Sequence, residues 1–262
     1  MSATAPRALR VGVQLHPQHC TYQQFRDAVV RMESLGVDSI WNWDHFFPLY
    51  GDADGPHFEG WTLLAAMAEC TSRAAIACMV TCNSYRNPAL LSNMAKTVDH
   101  VSGGRLILGI GAGWFERDYR EYGYEFGTAG SRLRDLDRAL PIIKDRWAKD
   151  NPPPVRGTIP ILIGGEGEKV TLRITAQYAD GWNGFGGVDN WRRKNRVLDE
   201  WCAKLGRDPR AVERTASIGT EDLKELDALA DAGCQHIILG FGPPFDGKPV
   251  ERLVAWRDRR GR

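Results

Sequence analysis

Short apolar runs alternate along this chain with longer amphipathic segments. Runs such as 10–15 and 159–163 are apolar over most of their length, as strands buried on both faces are. The segment that follows the first run places Phe25, Val29 and Met32 at helical spacing, and Gly36 ends it. This alternation of strand and helix patterns predicts repeated βα units around a parallel sheet.

The pattern predicts eight strands, each followed by a helix, which favours a closed α/β (β/α)8 TIM barrel over an open doubly wound sheet. We expect the strands at 10–15, 37–43, 76–81, 106–110, 159–163, 181–185, 214–218 and 236–239. We expect the helices at 21–35, 59–71, 88–102, 132–147, 168–178, 189–205, 221–232 and 248–257. The chain is then a single barrel domain, residues 1–262, with long loops at 46–58 and 113–130 on the active-site face.

Polar residues follow the second predicted strand directly, as Asp44 and His45. The catalytic side chains of such barrels lie at the carboxyl ends of the strands. A histidine there can carry a proton near neutral pH, and a neighbouring carboxylate can orient it. An isolated Asp-His pair is more often part of a solvated loop, but this position favours the catalytic interpretation.

Two strand ends are rich in glycine. In 161–167 the glycines precede a predicted helix, whose free backbone N–H groups can hold a phosphate; a tight βα turn is the alternative. The 109–113 segment has the pattern GxGxG and lies too late in the chain to be the first turn of a dinucleotide-binding domain. This argues against NAD binding in the usual mode.

Further candidates follow the third and fourth strands. Thr81 and Asn83 can hydrogen-bond the edge of a heterocycle, while Arg86 either binds an anion or pairs with a carboxylate. Most tryptophans of a barrel pack in the core. Trp114 and Trp182 are the two that we expect to contact a cofactor, because both sit beside glycines at strand ends.

Charge and composition narrow the function classes. Lys plus Arg number 34 and Asp plus Glu 33, and this balance argues against a nucleic-acid partner or a membrane surface. No apolar run approaches the roughly 20 residues that a membrane span needs, and the first ten residues lack a signal core. The six scattered cysteines predict buried thiols in a reducing cytoplasm rather than a metal site.

Several motifs occur in the order found in one known family. The chain resembles the bacterial luciferase-like flavin and deazaflavin oxidoreductases, in particular the branch that uses coenzyme F420. The matching segments are 41–48 (WNWDHFFP), 83–91 (NSYRNPALL), 102–106 (SGGRL), 109–114 (GIGAGW), 160–165 (PILIGG), 179–183 (ADGWN) and 206–209 (GRDP).

This resemblance implies a flavin-type ring lying across the mouth of the barrel, with His45 beside it. It also implies a non-prolyl cis peptide in the third strand, at Cys78-Met79, behind the ring. The cofactor phosphate would meet Gly164, Gly165 and Gly167, and the ring and its ribityl chain would meet Thr81, Gly111, Ala112, Gly113 and Asn183.

The resemblance further implies hydride transfer between C5 of F420 and a small organic substrate, with a homodimer as the assembly. The alternatives are an FMN-dependent monooxygenase supplied with reduced flavin by a partner reductase, and a barrel that binds cofactor without turnover. A metal-dependent hydrolase is disfavoured, since no paired metal ligands follow the strands. Sugar-phosphate oxidation is also disfavoured, because Trp114 and Leu49 replace a glutamate and a tryptophan of the family's sugar-phosphate dehydrogenases.

Overall fold

Parallel strands form a barrel surrounded by helices in the computed structural model, which describes residues 7–261. The strands are β1 (Arg10–Leu15), β2 (Ser39–Asn42), β3 (Ala75–Cys78), β4 (Thr81–Cys82), β5 (Leu108–Gly111), β6 (Ile161–Gly164), β7 (Gly181–Gly184), β8 (Glu213–Ile218) and β9 (His236–Phe241). Their order in the sheet is β3-β2-β1-β9-β8-β7-β6-β5-β4.

Helices follow the strands on the outside of this sheet. They are α1 (Tyr22–Ser34), α2 (Gly60–Cys70), α3 (Pro88–Val101), α4 (Glu116–Tyr122), α5 (Ala129–Lys149), α6 (Thr171–Tyr178), α7 (Val188–Lys204), α8 (Leu226–Asp231) and α9 (Lys248–Arg260). Residues 1–6 and 262 of the predicted domain lie outside the described range.

The third barrel strand is divided into β3 and β4, with Met79 and Val80 between them. Ile76 N–H donates to Arg105 O (3.1 Å) and Ile107 N–H donates to Ile76 O (3.0 Å), so β3 contacts the residues that lead into β5. β4 then pairs with β5 itself. Counting β3 and β4 as one strand gives eight strand positions around the ring, and the predicted (β/α)8 barrel is confirmed.

The non-prolyl cis peptide lies one bond further along than predicted. It joins Met79 to Val80, not Cys78 to Met79. β3 keeps its regular pairing with β2 through Cys78, opposite Asn42, so the irregular backbone begins only after that residue. The predicted position is therefore wrong by one residue.

Three predicted segments differ from the structure. The loop expected at 113–130 contains α4, which ends at Gly123 in a left-handed conformation (φ 73°). The helix expected from 168 begins only at Thr171. The helix expected over 221–232 is a 3₁₀ turn, Thr220–Glu225, followed by the short α8.

Two apolar layers hold the barrel together. Aliphatic side chains fill the space between sheet and helices, among them Val13, Ile40 and Leu64, all fully buried. A smaller cluster of Trp41, Ala77, Met79, Leu162 and Ile238 fills the interior of the ring. The interior is therefore packed with side chains, as in other barrels of this size, and leaves room for a ligand only at the strand ends. Over residues 7–261, no helix has both the length and the hydrophobicity of a membrane span.

Candidate active site at the carboxyl ends of the strands

A cavity of about 720 Å³ opens at the carboxyl ends of the strands. The structure places most of the predicted site residues in its wall. These residues are Asp44, His45, Met79, Thr81, Gly111, Ala112, Gly113, Trp114, Gly164, Gly165 and Asn183. A single cavity therefore contacts the ends of most strands of the barrel, as expected for a barrel active site.

Four predicted site residues do not line this cavity. Cys78 belongs to the apolar core, with 1% of its surface exposed. Asn83 lines a separate groove beside α5, because the 3₁₀ turn Asn83–Tyr85 turns it away from the barrel mouth. Trp182 is fully buried and its Nε1 donates to Gly165 O (2.9 Å), so it supports the strand end from behind. Gly167 lies next to Thr171, outside the wall.

A buried carboxylate holds His45, and it comes from α4. Nδ1 of His45 lies 2.7 Å from Oδ2 of Asp118, whose side chain is fully buried. The Tyr85 hydroxyl donates to the same oxygen (2.9 Å), and Phe46 N–H donates to Oδ1 (3.1 Å). An ionised carboxylate accepts only, so Nδ1 of His45 is assigned the proton. Its Nε2 hydrogen-bonds no residue in the described range and is available to a ligand in the cavity.

Asp44 does not orient His45, so that part of the prediction is wrong. Arg86 donates to both of its oxygens, through Nη1 (2.6 Å) and Nη2 (2.9 Å), and Cys82 N–H donates to it as well (2.9 Å). Arg86 also contacts Glu59, which caps the N-terminus of α2. Of the two roles considered for Arg86, the structure therefore shows the pairing with carboxylates.

Aromatic rings surround His45 on the open side of the cavity. His16 stacks on Trp43 at 4.3 Å between ring centroids, and Trp43 Nε1 donates to His57 Nε2 (2.9 Å). Burial lowers the pKa of His16 to about 4 and that of His57 to about 4, so both rings are neutral at neutral pH. The rings of Trp114 and His45 form a T-shaped contact, with their centroids 5.8 Å apart. This wall therefore presents flat, uncharged surfaces.

The glycines at the strand ends make room for protein side chains rather than directly for a ligand. A Cβ at Gly111 or at Gly164 would lie 2.8 Å from the side chain of Val80, which itself lines the cavity. Gly113 has φ 81°, and a Cβ there would meet the Tyr119 hydroxyl and Cys82 Sγ. The space at Gly111 and Gly164 thus lets Val80 project from the interruption between β3 and β4 into the cavity wall.

One end of the cavity is suited to a phosphate group. Gly164, Gly165 and Thr171 line it, and Thr171 is the first residue of α6. The N-terminus of a helix carries a partial positive charge and hydrogen-bond donors, and a threonine hydroxyl adds a further donor. Beside it, Asn183 and Ser217 line the wall, and Asn183 Nδ2 donates to Ser217 Oγ (2.9 Å). Thr215 Oγ1, buried behind them, donates to Asn183 Oδ1 (2.8 Å). The residues present fit an elongated cofactor with a ring and a phosphorylated tail.

Sequence reasoning missed Asp118, Tyr85, Val80 and Thr171. Asp118 lies 73 residues beyond His45, within a stretch interpreted as a loop. The signal that was available is the short segment 116–122 ending in Gly123, which has helical spacing and a glycine C-cap. Within the described residues, no group of three or more His, Cys, Asp or Glu side chains is placed to hold a metal ion.

Comparison with known proteins identifies a family. The profile of the luciferase-like monooxygenases matches residues 8–254. An F420-dependent glucose-6-phosphate dehydrogenase of Amycolatopsis mediterranei (strain U-32) is 30% identical over 145 residues, which cover 55% of this chain and 43% of that protein. The match thus spans less than half the length of this relative.

Two solved structures share the fold. An F420-dependent secondary alcohol dehydrogenase superposes with a TM-score of 0.84 at 17% identity, covering 95% of this chain and 98% of that one. The second is the oxygenating constituent of 3,6-diketocamphane monooxygenase from the CAM plasmid of Pseudomonas putida, in complex with FMN. It superposes with a TM-score of 0.73 at 17% identity, covering 94% of this chain and 96% of that one. At these identities the two structures show the fold alone.

Proposed function

The chain belongs to the luciferase-like monooxygenase family, and we propose that it is an F420-dependent oxidoreductase. In this proposal a hydride moves between C5 of the deazaflavin and a small organic substrate. The observation that carries it is the His45–Asp118 pair (2.7 Å) in the wall of a cavity that extends to Gly164, Gly165 and Thr171. The F420-dependent dehydrogenase of Amycolatopsis mediterranei, at 30% identity, supports the choice of cofactor.

The cofactor would be held at two places. Val80, Gly111, Ala112 and Trp114 would contact the ring, while Gly164, Gly165 and Thr171 would receive the phosphate of the tail. When bound, the deazaflavin supplies or accepts the hydride, and the protein supplies orientation and electrostatics.

His45 would carry the proton that accompanies the hydride. Asp118 holds Nδ1, which fixes the ring orientation and leaves Nε2 to give a proton to the substrate or take one from it. Tyr85 and Phe46 N–H also donate to Asp118, so two further hydrogen bonds position the pair through its carboxylate. The aromatic rings around His45 limit the access of water to the reacting atoms.

An FMN-dependent monooxygenase fed by a partner reductase is the second candidate. The family profile and the FMN complex among the structural neighbours favour it. The two reactions differ in their need for oxygen, because nitrogen at ring position 5 supports an oxygen adduct and carbon does not.

Turnover with and without oxygen tests the proposal. The purified protein is mixed with reduced F420 and a panel of carbonyl compounds, anaerobically, and the return of the oxidised deazaflavin absorbance is followed. We expect substrate-dependent oxidation without oxygen. Activity only with reduced FMN and oxygen would establish the monooxygenase, and tight binding of F420 without turnover of any compound in a broad panel would favour a carrier or sensor.

Compartment and assembly are proposed on separate grounds. All six cysteines are free thiols and five are buried, which suits a reducing cytoplasm. A homodimer is proposed from the family resemblance, and sedimentation of the purified protein measures it.

A further inference from the structure

A second cavity, of about 890 Å³, opens at the amino ends of the strands, on the side of the barrel opposite to the candidate active site. The first residues of β1, β3, β6, β7 and β8 line it. Trp41 and Leu162 also line it and belong to the interior cluster, whereas Met79 of that cluster lines the active-site cavity. The interior cluster therefore separates two cavities, and the amino-end cavity is a site of its own.

Arginines are the commonest charged residues in the wall of the amino-end cavity. Glu213 binds one of them, Arg10, through a bidentate contact that includes Nη2 to Oε2 at 2.6 Å. Within residues 7–261 the remaining four form no ion pair. These four are Arg7, Arg73, Arg105 and Arg156.

The carboxylates of the wall do not balance this charge. Besides Glu213, two of them line the cavity. Asp38 is bound by Arg257, whose Nη1 donates to it (2.6 Å). Asp180 accepts from Ile161 N–H (2.9 Å) and forms no ion pair in the described part of the chain. Four arginines and one carboxylate thus remain unpaired at this mouth, although the net charge of the whole chain is only +1.

Three of the unpaired arginines keep N–H groups that a ligand could use. Arg7 donates one hydrogen bond, from Nη2 to Ala211 O (3.1 Å), and Arg73 donates one, from Nη2 to Glu33 O (2.9 Å). Arg156 donates none to any residue between 7 and 261. All three residues are exposed. Residues 1–6 contain no acidic side chain that could neutralise them.

Arg105 adds a fixed positive charge between two of these arginines. Its guanidinium is partly buried and donates only to neutral groups, among them Ala74 O (2.8 Å), next to Arg73. On the other side, a Cβ at Gly104 would lie 3.5 Å from Nε of Arg156. Burial lowers the pKa of Arg105, so its charged form is not compensated where it stands. Arg73, Arg105 and Arg156 are therefore neighbours along one side of the cavity.

We propose that the amino-end cavity is a second ligand site, which binds a small phosphorylated anion. Guanidinium groups match phosphate oxygens through paired hydrogen bonds, and several of them on one wall suit a group with more than one negative charge. A cleft lined by charges of one sign also concentrates anions. The volume lies in the range of small-molecule sites, and the concave shape suits such a ligand better than a flat macromolecular surface. This inference does not depend on which cofactor the active site binds.

Calorimetric titration with inorganic pyrophosphate at low ionic strength tests the inference. We expect Arg73→Gln/Arg156→Gln to bind pyrophosphate at least about tenfold more weakly than the unmodified protein. Arg120→Gln/Arg192→Gln is the matched control, because it removes the same charge from two exposed arginines outside both cavities. The control should bind as the unmodified protein does. Equal weakening in both double variants, or no binding by the unmodified protein, overturns the inference.

Binding at the active site is distinguished by a further variant. Pyrophosphate could also enter the end of that cavity lined by Gly164, Gly165 and Thr171. We expect Thr171→Val to leave the pyrophosphate affinity unchanged. Loss of binding in Thr171→Val together with normal binding in Arg73→Gln/Arg156→Gln would place the anion in the active site and overturn the inference.

The one unpaired carboxylate gives a test of opposite sign. Asp180→Asn keeps an oxygen that accepts from Ile161 N–H but removes a negative charge from the wall. We expect pyrophosphate to bind about threefold more tightly to this variant, and a weaker affinity contradicts the inference. If Arg73→Gln/Arg156→Gln does not fold, Arg156→Gln alone replaces it, because Arg156 has no hydrogen bond to lose within the described range. Unchanged affinity in that single variant overturns the inference.

Discussion

Two histidines at opposite ends of the barrel each have a hydrogen-bond partner but differ in burial, since His45 is partly exposed and His236 is fully buried. At the carboxyl end, His45 is held by Asp118 at 2.7 Å and lines the cavity. At the amino end, His236 begins β9, and its Nε2 lies 2.8 Å from the Ser39 hydroxyl, which also accepts from Trp41 Nε1 (2.6 Å). On residue types alone, each cluster contains the parts of an acid–base system.

Access separates the two clusters. His236 is fully buried, and burial keeps its pKa well below the ordinary value, so the ring is neutral. Its Nδ1 has no hydrogen-bond partner within the described residues, because the nearest carboxylate, Glu213 at 4.0 Å, is already bound by Arg10. Proton transfer requires a nitrogen within reach of a substrate. The comparison therefore assigns chemistry to His45 and packing to His236.

The largest expected effect is that of His45→Ala. Loss of a general acid–base group lowers turnover by about 10²–10⁴-fold, whereas F420 affinity, which depends on other parts of the wall, should change by less than about threefold. Steady-state kinetics and an F420 titration on the same preparation measure both. Equal losses in turnover and affinity would show that His45 binds the cofactor rather than moving a proton.

Asp118→Asn should lower kcat by about 10–100-fold, as is usual when the partner of a functional histidine is removed. The amide offers one acceptor oxygen, whereas the carboxylate now serves His45, Tyr85 and Phe46 N–H. Asp189→Asn is the matched control, because this side chain is 97% exposed on α7. A kcat equal to that of the control would show that the Asp118 pair only supports the loop.

His236→Ala should act on stability instead. Removing the ring leaves the Ser39 hydroxyl with its bond from Trp41 Nε1 but takes away the partner of its own proton. We expect the free energy of unfolding to fall by about 1–3 kcal/mol. Urea denaturation measures this, and F420 affinity of the folded fraction should stay the same. A variant with unchanged stability and no turnover would reverse the roles of the two histidines.

The smallest effect concerns pH. The pKa of His16 and of His57 is about 4 in the folded protein and near 6.5 when the chain unfolds, so the unfolded state binds more protons between these values. The free energy of unfolding is therefore highest above about pH 6.5 and falls as the pH is lowered toward 4. For each histidine the loss is about 1–2 kcal/mol after allowance for partial exposure. His16→Asn should flatten the dependence of stability on pH in urea denaturation between pH 4 and 7; an equally steep curve would contradict the burial argument.

The same contrast explains what could be predicted from the sequence. The barrel and the position of His45 followed from apolar runs that end in polar or glycine residues, which is a local pattern. Asp118 could not be paired with His45 locally, because the contact depends on how α4 packs against the end of β2. Register and side-chain direction at a strand end are also set by tertiary packing. For this reason the cis bond was predicted one residue too early, and Trp182 was wrongly expected to contact the cofactor.

Two equilibrium titrations of the purified apoprotein, one with F420 and one with FMN, test the cofactor assignment most directly, with tryptophan fluorescence as the signal. Trp43 and Trp114 line the cavity, so a bound ring should quench them. We expect micromolar binding of F420 and at least about tenfold weaker binding of FMN. Selective binding of FMN, or binding of neither, would contradict the proposal that this cavity holds a deazaflavin beside His45.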